Sequence, residues 1–135
     1  MEVIEQQASN KGPAEWFTGD VWFDVVVPRD GRAQGRCNVV RFSPGARSAW
    51  HRHINGQTLH VTEGVGLTQV RNGDIVVIRP GDTIWCPPDT WHWHGATPDR
   101  FMTHLALWDG LRDGQVGPEA IWGELVTDAE YEARD

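Results

Sequence analysis

Two stretches of this chain carry imidazoles in the same short pattern, His51-Arg52-His53 and His92-Trp93-His94. Side chains on a strand alternate faces, so the two histidines of each pair point the same way if their stretches are extended. One such pair is commonly surface decoration or a hydrogen-bonded part of a core. Two pairs on strands of one small barrel bring up to four imidazoles together, and that is metal-site chemistry. Gln57 follows the first pair after Asn55-Gly56, a turn-forming dipeptide. It adds a hard oxygen to the set if that turn carries it back over the histidines. His104, in "FMTHLALW", and His94 are imidazoles beyond the minimum a metal needs. A neutral histidine beside such a site is a candidate general base, because its ordinary pKa lies near working pH. His60 is offset by one from the face shared by Gln57, Leu59 and Val61, and is expected to point outward without a role.

The elements that position these residues read as all-β. From residue 21 on, short runs rich in β-branched and aromatic residues recur, among them "VWFDVVV", "CNVVRFS", "DIVVIRP", "TIWCPP" and "RFMTHLALW", each closed by Gly, Pro, Asn or Asp. Asn55-Gly56 and Asn72-Gly73 predict tight turns between antiparallel strands. No amphipathic helix lies between the runs, which favours a sandwich or barrel over alternating β/α architecture. In "RFMTHLALW", Met102, His104, Ala106 and Trp108 form one face and Thr103, Leu105 and Leu107 the other; both look apolar enough for a strand buried on its two sides. Residues 1–20 look irregular. Thr127 with Glu130 three residues on is a capping-box pattern that predicts a short C-terminal helix.

The 135 residues, 39% hydrophobic, fit a single domain spanning 1–135 with a barrel core at about 20–110. A net charge of -7 and the lack of any Lys/Arg-rich block exclude a nucleic-acid footprint, and no apolar run is long enough to cross a bilayer. Only Cys37 and Cys86 are present, and "MEVIEQQASN" lacks a signal pattern; free thiols and a cytoplasmic location follow as expectations. "VWFDVVV" is an apolar edge-strand candidate, so a homodimer or higher homo-oligomer is expected.

The spacing resembles the cupin family. Gly45, five residues, His51-x-His53, three residues, Gln57, six residues and Gly64 match the first cupin motif, with glutamine where the family usually has an acidic ligand. Gly81, five residues, Pro87 and His92 match the second, with Asp89 in place of the usual Gly and Ala96 in place of a frequent Asn. The resemblance implies a double-stranded β-helix, a jelly-roll-type barrel, whose metal ligands are His51, His53, Gln57 and His92. A His3Gln set leaves both positive charges of a divalent ion uncancelled, so such a centre attracts anions more strongly than a His3Glu one. Four ligands on an ion that prefers six leave room for a substrate.

The strings "PGARSAWHRHINGQTLHVTEGVG" and "RPGDTIWCPPDTWHWHGATPDRFMTHLAL", with the leading "KGPAEWFTG", are similar to small bacterial cupins that include the manganese-dependent hydroxynitrile lyases. That likeness implies a metal-dependent lyase that reversibly cleaves a cyanohydrin into an aldehyde or ketone and cyanide. His104, ahead of His94, is the expected base, and Mn the first expected ion, with Fe, Ni, Co or Zn as alternatives. Asn38, Val40, Met102 and Trp108 are expected to line a pocket for a small hydrophobic or aromatic substrate. Two further readings stay open: another metal-dependent cupin reaction (dioxygenase, isomerase or decarboxylase), and a non-catalytic barrel that binds a small ligand.

Overall fold

The computed structural model describes residues 1–133. In chain order the strands among them are β1 (Asn10–Lys11), β2 (Phe17–Thr18), β3 (Val21–Val25), β4 (Gly35–Phe42), β5 (Arg47–Ser48), β6 (His51–His53), β7 (Gln57–Gly64), β8 (Gly66–Val70), β9 (Val76–Ile78), β10 (Thr83–Cys86), β11 (His92–Ala96), β12 (Met102–Asp109) and β13 (Ala120–Trp122). All their pairings are antiparallel. One curled sheet has the order β1-β3-β4-β12-β7-β10. In the other, β11 pairs with β5, β6 and β8, while β13, β2 and β9 extend it. This is the cupin jelly-roll arrangement expected from the motifs.

Alternation decides which residues meet between the sheets. Val40, Phe42, Leu59, Val61, Met102 and Ala106 point inward from β4, β7 and β12 and form the main apolar core with Val21 and Ile78. On β11 the odd residue out is Trp93. It turns away from His92 and His94 into a second cluster with Trp50, Leu67, Val126 and Tyr131. The short helix α1 (Asp128–Glu132) supplies Tyr131, and its start is the expected capping box: Thr127 accepts from the Glu130 amide, and the Glu130 carboxylate accepts from the Thr127 amide. α1 thus covers the outside of the second sheet, which leaves β11 buried on both faces.

Several local expectations change. β12 is not buried on both sides throughout: Thr103 is buried, Leu105 half-buried and Leu107 37% exposed, because the helix lies on the other sheet. "VWFDVVV" is not a bare edge, since the two-residue strand β1 pairs with Trp22 and Phe23. Asn72-Gly73 sits within a five-residue loop between β8 and β9 instead of forming a two-residue turn, and Asn72 takes the left-handed conformation (φ 68). Asn55-Gly56 does not close a hairpin at all. β6 and β7 belong to opposite sheets, so this turn carries the chain from one wall of the barrel to the other. Asp89, where the cupin motif usually has glycine, has φ 56, a conformation Asp tolerates better than most residues. Cys37 and Cys86 are free. Among the described residues no helix is long and apolar enough to cross a membrane.

Candidate metal centre

His51 and His92 are direct cross-strand partners of β6 and β11, so their rings leave the second sheet side by side, centroids 4.3 Å apart. Each ring is oriented by its Nδ1–H, which donates to a carbonyl two residues upstream: His51 to Ala49 at 2.8 Å and His92 to Thr90 at 3.0 Å. With the proton held at Nδ1, the Nε2 lone pair is the free one, the arrangement by which metal-binding imidazoles are set. His53, two residues along β6, points the same way. Ligand atoms of His51, His53 and His92 all lie within 4.8 Å of one another, so the three form one site.

Gln57 reaches this site from the opposite sheet. Its Oε1 is 2.9 Å from His92 Nε2, and the amide also contacts His51 and His53. A carbonyl oxygen and an imidazole lone pair are both acceptors, and their approach is stabilised by a cation that both bind. Apart from the contact with the Gln57 amide, neither ring nitrogen of His53 has a hydrogen-bond partner among the described residues although the ring is buried. Buried polar atoms are rarely left unpaired, and coordination satisfies one of these two. Burial, reinforced by repulsion from His92, pushes His53 down to about 3 and His51 well below the ordinary value; burial also lowers His92. All three imidazoles are therefore neutral near pH 7, the state that coordinates a metal. The donor set fits a divalent transition metal.

His94 and His104 continue the row into the barrel. His94 Nε2 lies 3.3 Å from His51 Nε2, and His94 Nδ1 lies 2.8 Å from His104 Nε2. Phe42 walls this end, its ring centroid 5.8 Å from that of His94 and 5.3 Å from that of His104. Both imidazoles are fully enclosed; burial takes His104 down to about 4, and burial with the neighbouring histidines takes His94 well below its ordinary value. His94 thus stands between His104 and the three-histidine cluster. His60 points away and contacts the Thr83 hydroxyl.

Of the four residues expected around a pocket, Val40 and Met102 are buried in the main apolar core, and Met102 is fully enclosed there. Asn38 is half-buried beside Ala106. Trp108 is half-buried with its ring 5.7 Å from that of His53. Two further residues touch the site from beyond the span expected for the barrel. Trp122 of β13 is the cross-strand partner of His51 and stacks on its ring at 4.5 Å, with Trp16 stacked on its far side at 4.8 Å. Glu119 accepts from the Trp108 indole N–H at 2.9 Å. Neither stands out in the sequence. The alternation of Ala120-Ile121-Trp122 is too short to announce a strand, and a lone glutamate in a loop carries no motif.

A curled antiparallel barrel with three histidines and an amide converging between its sheets defines a cupin, and the chain belongs to that family: residues 38–108 match the cupin domain model. It is 47% identical over 133 residues to an (R)-mandelonitrile lyase of Granulicella tundricola, an alignment covering 97% of this chain and 98% of the relative. Among solved structures it is similar to a cupin-like protein of Thermotoga maritima (TM-score 0.82, 36% identity, 97% of this chain and 95% of that one). A polyketide cyclase of Streptomyces resistomycificus shares the fold (TM-score 0.73, 18% identity, 98% and 91% covered).

Proposed function

We propose that the protein is a metal-dependent hydroxynitrile lyase that cleaves cyanohydrins of small aromatic or hydrophobic aldehydes and ketones. The observation that carries this reading is the run of close ring contacts from His51 through His94 to His104, at 3.3 and 2.8 Å, which supplies two imidazoles beyond the proposed ligands. The mandelonitrile lyase relative supports it. His51, His53, His92 and Gln57 are the proposed ligands and Mn the proposed ion, with Fe, Co, Ni and Zn able to use the same nitrogen and oxygen donors. Such an ion supplies electrostatic stabilisation to the negative charge that gathers on the departing cyanide.

The protein's own part is proton handling. Cleavage moves the substrate hydroxyl proton to an imidazole nitrogen, turns the O–H pair into the second carbonyl bond, and expels cyanide with the electrons of the C–C bond. When His94 Nδ1–H donates to His104 Nε2, the Nε2 lone pair of His94 faces the cluster and can take that proton; His104 then shares the resulting charge. The pair, and not either ring alone, is the proposed base. In the reverse direction it returns the proton to the alkoxide oxygen. We further propose a homo-oligomer, with exposed Trp22 and Val25 of β3 and Val26 just beyond it as part of its contact, and a cytoplasmic location.

The test is cleavage of (R)-mandelonitrile by protein stripped of metal and reconstituted with each ion in turn. His104→Ala is expected to lose about 10²-fold or more in turnover while metal content is unchanged. Per-metal activity that survives both His104→Ala and His94→Ala removes the proposed base.

A further inference from the structure

Along the inward row of β12, burial falls from Met102, His104 and Ala106 to Trp108, the half-buried member of the row, whose ring lies beside that of His53. Its indole is tied down unusually well. Nε1–H donates at 2.9 Å to Glu119 Oε1, and the Glu119 carboxylate accepts two bonds from Arg36, from Nε at 3.1 Å and Nη2 at 3.0 Å. Arg36 is the cross-strand partner of Trp108, so the indole and the anchor of its acceptor rise from adjoining positions of the same sheet. Arg29 adds a third hold: Nη2 lies 3.5 Å from Glu119 Oε1, and its guanidinium sits 5.7 Å from the Trp108 ring centre. The backbone of Glu119 is pinned as well, its carbonyl accepting from the Ile54 amide at 2.9 Å.

Charge-assisted, two-pronged bonds of this kind hold a carboxylate in one orientation, and the side chains of Glu119 and Arg36 are only 16% and 18% exposed. An indole has one donor, and turning the ring away abandons its acceptor. We propose that Glu119 is a positioning residue for specificity: through Nε1 it fixes the Trp108 ring beside His53 as a flat wall of the site. Resting on the metal-site reading above, this makes the site select single-ring, planar substituents, which stack along the indole, over branched ones, which collide with it. A purely structural role for the Arg36–Glu119 pair, tying the segment before β13 to the barrel, moves stability and leaves ligand preference alone.

The test uses zinc-loaded protein, which is diamagnetic, with benzoate and pivalate as planar and branched anions and formate as a reference too small to meet the wall. Titration calorimetry is expected to show benzoate preferred over pivalate in the native protein. Trp108→Ala and Glu119→Ala should each reduce that preference about tenfold with formate affinity unchanged, while Glu119→Gln, which keeps an acceptor oxygen, retains most of it. In nitrogen-15 spectra the Trp108 indole N–H should exchange slowly with solvent and lose that protection in Glu119→Ala. An unchanged exchange rate in Glu119→Ala, or an unchanged preference in Trp108→Ala, overturns the inference. If Glu119→Ala does not fold, Trp108→Phe, which keeps a ring but no donor, must lower the preference for the inference to stand. Absence of cyanohydrin cleavage alongside the expected shift in preference removes the lyase reading and leaves the wall; cleavage with an unmoved preference does the reverse.

Discussion

Gln57 and His92 stand on opposite sheets of the barrel, yet Oε1 of one lies 2.9 Å from Nε2 of the other. The candidate metal centre therefore spans the two walls. Gln57 is also the one proposed ligand whose substitution changes charge without changing size. Gln57→Glu is expected to keep the metal and to bind anions at least about tenfold more weakly, because unit charges a few ångströms apart interact by ~4 kcal/mol at an effective dielectric near 20. Azide or cyanide titration of the two proteins, each at full metal occupancy, reads this directly. Equal affinities remove the argument from neutral ligation.

Removal of a histidine ligand should separate metal binding from folding. The main core, from Val21 and Phe42 to Leu59 and Met102, is apolar and does not include the ligands. His51→Ala and His92→Ala are each expected to lose the ion while keeping the β-sheet circular dichroism of the native protein, since a hydrophobic core of this size holds without it. Elemental analysis gives the occupancy, and full occupancy in either variant overturns the ligand assignment.

The turn that delivers Gln57 rests on one glycine. Gly56 has φ 82, and a Cβ there would lie 2.5 Å from Trp85 Cη2 and 3.0 Å from the Cys86 carbonyl oxygen. Gly56→Ala combines backbone strain with a clash and is expected to destabilise by about 1–3 kcal/mol, with a weaker metal affinity as Gln57 is displaced. A chemical-denaturation midpoint equal to that of the native protein contradicts this account.

Acid should destabilise the metal-free protein before its carboxylates titrate. In the folded state His53 and His104 take up protons only at about 3 and about 4, whereas in the unfolded chain histidines do so near 6.5. The unfolded state thus binds more protons between those limits. Stability from these groups is complete above pH 6.5 and falls as pH drops below it, by up to about 1.4 kcal/mol per pH unit for each histidine. Melting temperature measured from pH 7.5 to 5 should fall accordingly, and His104→Leu should flatten the slope. A melting temperature constant across that range counts against the burial argument.

The chemistry-bearing residues were legible because their message is local. A period of two puts His51 with His53 and His92 with His94 on common faces whatever else the chain does, and the capping box at Thr127 and Glu130 is complete within four residues. The cupin spacing, down to a left-handed Asp89 at a glycine position, is likewise written in the order of residues. What lay beyond local reading were relationships between segments remote in sequence. The Asn55-Gly56 turn looks like a hairpin, and only the competition among strand partners shows that it crosses between sheets. Whether β12 is buried on one face or two depends on which sheet the C-terminal helix covers. His94 comes between His104 and the ligand cluster because β11 and β12 lie on facing walls, and Trp122 and Glu119 reach the site because the segment after the barrel folds back onto β6. Periodicity assigns a side chain to a face; only closure of the two sheets decides what that face meets.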